Sequence, residues 1–252
     1  GRQREFGRCF SKPNRERRPF SEASGKLKKE IHHAKNKIDN TIERISSARN
    51  GGVRTVLLHV FGISSNAAVE HITKNLRCMR KDLDYLRLEN MIFRPPGSDA
   101  YAALQPQAYK RWQAAVYSNT KLDVNTRSFL SIYPDNLDEL YAASKFDDAR
   151  IGDVLVHEMS HGAPDTLDFY YGDIVKGAAP AKYDAVGLLE FARDPRKAHP
   201  DNPMNPHYRY ARPEDFKEFE AITDWPDIIK EHPALLNAES YSLAVSLIDQ
   251  YR

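Results

Sequence analysis

Two histidines four residues apart, with a glutamate directly after the first, are the residues of this chain best spaced for chemistry: His157-Glu158-Met159-Ser160-His161. On an α-helix, four residues advance about 40° beyond one full turn, so both imidazoles leave from one face and can share a metal ion. Glu158, one step round, is placed to take a proton from water as a general base. The apolar lead-in "IGDVLV" predicts a buried helix, roughly residues 148–162, whose histidine face opens on a cleft. Gly162 follows the second histidine directly and Pro164 forbids continuation. The chain must therefore turn sharply there, and it can bring back a further ligand.

Zinc is the expected cofactor, one ion per chain, and catalytic zinc usually keeps three protein ligands and one open position. A third histidine in the extended HExxHxxGxxH pattern is excluded, because the sixth residue after His161 is Leu167. Two candidates remain. Asp168 lies seven residues after His161, just past the turn. Glu190 lies in "LLEFARD", with Asp194 four residues later, which resembles the glutamate-zincin arrangement. Asp165 is a lesser option, as a support or a turn former.

The elements that must position these groups follow from hydrophobic periodicity. Leu27, Ile31, Ala34, Ile38, Ile42 and Ile45 recur at three- and four-residue steps and predict a helix from about Gly25 to Arg49, stopped by Asn50-Gly51-Gly52. A second long helix follows "VFGISSN", with Val69, Ile72, Leu76, Met79, Leu83 and Leu86 on one stripe. "NMIFRPPG" and "RSFLSIYPDN" read as short strands. Beyond the histidines, a helix is expected from Tyr183 to Arg193, a proline-rich surface loop after it, and a last helix from about Ala234 to Tyr251. The class is α+β, mostly helical with a small β-sheet.

Composition narrows the partners. With 252 residues, 41% of them hydrophobic, the chain can bury one core and carry a small appendage. The net charge of +2 gives no global field toward nucleic acid or membrane, so no specific nucleic-acid partner is expected. No apolar run approaches the ~20 residues of a membrane span, and no signal-peptide pattern appears. Cys9 and Cys78 alone cannot form a disulfide framework or a four-cysteine zinc site, and two free thiols are expected. Residues 1–24 form a polar segment whose first part is rich in arginine, read as a flexible linker or as a basic arm for an acidic partner. The opening at Gly1 rather than Met suggests a piece of a longer protein.

Three further stretches bear on the third ligand. "DTLDFYYG" spans residues 165–172, "NAESY" runs from Asn237 to Tyr241, and "HVFGISSNAAVEHITKNLRCMRKDL" starts at His59. Together with HExxH they resemble the aspartate-zincin metallopeptidases, the deuterolysin and peptidyl-Lys metalloendopeptidase family, over roughly residues 25–252. That family carries HExxH followed by GTxDxxYG, and an NADSY-like segment on a C-terminal helix. The "SIYPD" strand sits where the family has an edge strand. The resemblance implies a zincin-like metalloprotease domain over 25–252, with His157, His161 and Asp168 as zinc ligands. It implies Glu158 as general base and Tyr171 as the phenol that stabilises the oxyanion.

In lysine-specific members the acid of NADSY helps line the pocket for the lysine after the scissile bond, and Glu239 is the matching residue. A carboxylate in a narrow pocket favours a cation; a plain helix-start acid stabilised by the macrodipole is the other reading. Ser242 stands where those enzymes have a second acid. Other departures are Asp165 in place of the signature's first glycine, a shorter gap from His161 to Asp168 than in the fungal members, a proline-rich insertion near 194–234, and few cysteines. The last suggests a bacterial relative, a secreted toxin or a delivered effector. The expected function is zinc-dependent hydrolysis of peptide bonds in a protein or peptide substrate; where Glu239 lines the pocket, lysine is preferred after the scissile bond. The rivals are the same reaction with Glu190 as third ligand, and a non-catalytic binding module that uses the basic arm.

Overall fold

A computed structural model of the protein describes residues 20–47, 51–143, 149–172, 189, 192–194, 208–210 and 225–249. Its class is α+β and mostly helical, with a small three-stranded sheet, as the periodicities predict. Helix α1 (Phe20–Ser46) begins earlier than expected. Its buried seam is Leu27, Ile31, Ala34, Ile38, Thr41 and Ile45, an alternation of four- and three-residue steps. Ile42 falls beside that seam and is only half-buried. Thr41 takes its place because its hydroxyl donates to the Lys37 carbonyl at 2.7 Å, which satisfies the polar atom inside the seam.

Gly51-Gly52 does not end a helix. It begins one, α2 (Gly51–Phe61), which the sequence reading missed. Val53, Val56, Leu57, Val60 and Phe61 are its buried stripe. Gly62 closes it at φ +73°, the left-handed conformation of a helix terminus. Ser65 then caps α3 (Asn66–Tyr85), its hydroxyl accepting the Ala68 N–H at 3.3 Å.

The chain divides into two compact units: Gly1–Asn36 with Met79–Gly162, and Lys37–Cys78 with Ala163–Arg252. The first holds the sheet. Strands β1 (Met91–Phe93), β2 (Ala102–Leu104) and β3 (Leu130–Ile132) run in the order β1-β3-β2. The β1–β3 pair is parallel and aligns Met91 with Leu130; the β2–β3 pair is antiparallel and aligns Ala103 with Ser131. The strand that runs into "SIYPD" is thus central, not an edge, because both neighbours hydrogen-bond to it; among the described residues of this sheet β1 and β2 are the edges.

Helix α4 (Pro106–Tyr117) supplies Tyr109 and Trp112, which pack with Phe129 at ring distances of 5.6 and 4.5 Å. Inside this cluster Asp82 is fully buried and accepts hydrogen bonds from the Tyr109 and Tyr117 hydroxyls. Helices α5 (Pro134–Ala143) and α6 (Ala149–Ser160) pack together, and α6 also packs on β2.

The second unit is built around its last helix. Here α7 is Asp227–Glu231, a 3₁₀ turn covers Pro233–Leu236, and α8 is Ala238–Asp249. The expected single helix from about Ala234 is interrupted at Asn237, whose backbone is extended. Every residue of α8 from Ala238 to Ile248 is buried, and α2 packs against it. Arg44 donates to the Ile248 and Asp249 carbonyls at 2.5 and 2.6 Å, placing a cation on the negative end of the helix. Strands β4 (Tyr170–Gly172) and β5 (Tyr208–Tyr210) pair antiparallel. β5 lies inside the stretch expected to be loop, because the tyrosines of "YRY" find a ladder partner in "YYG". The expected helix 183–193 falls largely outside the described residues, and residues 1–19 of the expected arm fall wholly outside them.

Candidate metal centre

Helix α6 is buried on all sides from Ile151 to Ser160, as its apolar run predicts. Its first turn is fixed by Glu30 of α1, a fully buried carboxylate that accepts the Gly152 N–H at 3.1 Å. Such an acid satisfies a first-turn donor and complements the positive end of the helix. Its other oxygen lies 3.2 Å from His33 Nδ1.

The helical ladder ends at Ser160, and the last turn tightens. His161 N–H donates to the Glu158 carbonyl at 3.1 Å and Gly162 N–H to the Met159 carbonyl at 3.0 Å. These three-residue steps carry His161 just beyond the helix while keeping it over the same face. The His157 and His161 rings stand edge to face, 5.1 Å apart. One ligand atom from each of His157, Glu158 and His161 lies within 4.8 Å of the others. Their exposures are 1%, 2% and 6%.

Two contacts within the same unit shape this end of α6, and neither was legible in the motif. Glu158 Oε2 accepts the Leu104 N–H at 2.9 Å. Leu104 belongs to edge strand β2, whose outward amide is thereby used to orient the carboxylate. Gly162 is a glycine for space: a Cβ there would lie 2.7 Å from the Tyr109 ring. A left-handed backbone is not what requires it; among the described glycines the positive φ values are at Gly62 and Gly97. The Tyr109 hydroxyl donates to Asp82, so the ring that excludes a side chain is itself held in place.

Asp168, Tyr171 and Glu239 belong to the second unit. Asp168 is 3% exposed and Glu239 is 5% exposed. The segment carrying Asp168 is tied to the start of α8. Leu167 N–H donates to the Leu236 carbonyl at 2.7 Å, and Ala238 N–H donates to the Leu167 carbonyl at 2.9 Å, a parallel bridge opposite Asn237. Asn237 Oδ1 accepts the Phe169 N–H at 3.0 Å. Tyr171 lies in β4 opposite Arg209. Glu239 sits in the first turn of α8, where an acid suits the helix dipole. Glu190 lies outside the described residues.

Three stretches singled out in the sequence thus meet inside this unit. Asn237 of "NAESY" holds the "DTLDFYYG" backbone. Tyr241 packs edge-on against Phe61 of "HVFG" at 5.1 Å and accepts from Asn75 at 2.7 Å. Complete burial pushes the Tyr241 phenol well above its ordinary pKa, which keeps it a neutral donor to the Leu235 carbonyl. Asp165, in place of the signature glycine, has φ +54°. That is the left-handed region glycine prefers and aspartate tolerates better than most residues, so its role is to form the turn.

No family model, curated protein or solved structure matches this chain. No helix of the described residues is long and apolar enough to cross a membrane.

Proposed function

We propose that this chain is a zinc-dependent endopeptidase. The observation that carries the reading is the buried convergence of His157, Glu158 and His161, with ligand atoms within 4.8 Å of one another. The two imidazoles are donors that suit zinc, and Glu158 beside them is the carboxylate left for general-base work. His157 and His161 would bind through ring nitrogens, and Asp168 is assigned as the third ligand on the "DTLDFYYG" resemblance. Zinc held there would supply Lewis acidity, polarising a carbonyl and acidifying water. Glu158, oriented by the Leu104 N–H, takes the proton from the attacking water and returns it to the leaving amine. Tyr171 donates its phenol to the developing oxyanion. Glu239 lines a pocket for a cationic side chain, so lysine is favoured after the scissile bond. The substrate is a protein or peptide, and a secreted toxin or a delivered effector is the setting proposed for its cleavage.

The test is cleavage of a diverse peptide mixture by the full chain, read by mass spectrometry beside metal analysis. One zinc per chain and cuts that a chelator abolishes are expected, with lysine after the cut. Alanine at Asp168 should remove the zinc, whereas alanine at Glu190 should leave it. Neither zinc nor cuts in the wild type would overturn the reading.

A further inference from the structure

Asn237 occupies the N-cap position of α8, where an asparagine ordinarily accepts an N–H of its own first turn. Here its Oδ1 accepts the Phe169 N–H at 3.0 Å, from a residue 68 positions away. Its Nδ2 donates to Ser240 Oγ at 3.0 Å, and the Ser240 N–H is met by the Asn237 carbonyl at 3.1 Å. Both halves of the amide are therefore engaged, and the residue is fully buried. The Leu167 bridge fixes the backbone before Asp168, and the Asn237 side chain fixes it after. Asp168 is the one residue held between the two attachments.

We propose that Asn237 is a positioning residue for metal binding, acting through the Phe169 N–H to fix the backbone that presents the Asp168 carboxylate. The proposal rests on the reading of Asp168 as a zinc ligand. A carboxylate on a backbone pinned at both sides loses little freedom when it binds a cation. Groups that orient metal ligands commonly change metal affinity by about 10- to 100-fold when removed. A plain helix cap would change folding stability and leave the affinity alone.

The experiment measures the zinc dissociation constant of the full chain by competition with a chromogenic chelator, with thermal unfolding of the zinc-free protein alongside. Asn237→Ser can still cap α8 but is too short to reach the Phe169 N–H, and it should weaken zinc binding by about 10- to 100-fold. Asn237→Ala should do the same. Asn237→Asp keeps an acceptor for that N–H and should retain most of the affinity. Val245→Ala, a buried truncation in the same helix, should lower the melting temperature without moving the zinc constant.

Wild-type affinity in Asn237→Ser and Asn237→Ala, with zinc lost in Asp168→Ala, would overturn the proposal while leaving the third-ligand reading intact. Full zinc binding in Asp168→Ala, or no zinc in the wild type, would remove that reading and this inference with it. Equal loss of affinity in Val245→Ala would reduce Asn237 to a structural residue.

Discussion

His157 and His161 are brought together by four residues of helix, whereas Asp168 is held by a joint to Asn237 that spans 68 residues of chain from Phe169. The first arrangement is local. Once the segment is helical, the imidazoles share a face, and burial from Ile151 to Ser160 holds that segment in the core. The second is non-local. Its ordering depends on a bridge, a side-chain clamp and a left-handed turn that no periodicity announces. The two regions also use glycine-like positions differently. Gly162 must lack a side chain because a ring occupies its Cβ position, while Asp165 must adopt a backbone shape that most side chains resist.

Substitutions that exchange those requirements should separate the two. Gly162→Ala forces a Cβ against the anchored Tyr109 ring and should cost about 2–3 kcal/mol in a urea titration. It should also loosen metal binding, because His161 is the adjacent residue. Asp165→Val should cost about 1–2 kcal/mol for its left-handed backbone, whereas Asp165→Gly should gain about 0.5 kcal/mol after the entropy of the unfolded glycine is counted. A loss in Asp165→Gly would show that the aspartate side chain, and not the turn, matters there.

Smaller effects are expected at the support behind the second region. Asn75→Ala removes a 2.7 Å hydrogen bond to the Tyr241 hydroxyl and should cost about 1 kcal/mol, visible as a lower denaturation midpoint. Smallest is a pH effect at His71, whose pKa is lowered from 6.5 by burial first and by the Lys74 charge second. Folding favours its neutral form, so its contribution is complete above pH 6.5 and is lost as the pH falls below that toward the depressed folded value. His71→Gln should flatten that part of the stability profile, measured as urea midpoints at neutral and mildly acid pH.

Legibility followed the range of the interaction. The seam of α1 from Leu27 to Ile38 and the stripe of α3 from Ile72 to Leu83 were readable because burial repeats every three or four residues, and α6 because its apolar run marks a segment buried all round. Helix α2 was not, because Gly51-Gly52 is a stop signal in isolation, and only the burial of Val53, Val56, Leu57 and Val60 outweighs it. The edge position of β2 was equally hidden. "AAL" is three residues long, and its place depends on pairing with β3 across an intervening helix. Of the candidate site, the two histidines and Glu158 were legible. The Leu104 amide that orients Glu158 was not, since a backbone donor leaves no trace in residue type. Asn237 could have been suspected: an asparagine directly before a helix invites the question of where its amide points.

The most direct test pairs metal content with cleavage for the wild type and Glu158→Gln. The substitution keeps the shape of the side chain and an oxygen for the Leu104 N–H, but removes the base. One zinc per chain is expected in both proteins, with similar melting temperatures and cleavage reduced by about 10²- to 10⁴-fold in Glu158→Gln. Undiminished cleavage by Glu158→Gln, with zinc and fold intact, would contradict the role of Glu158 as the base.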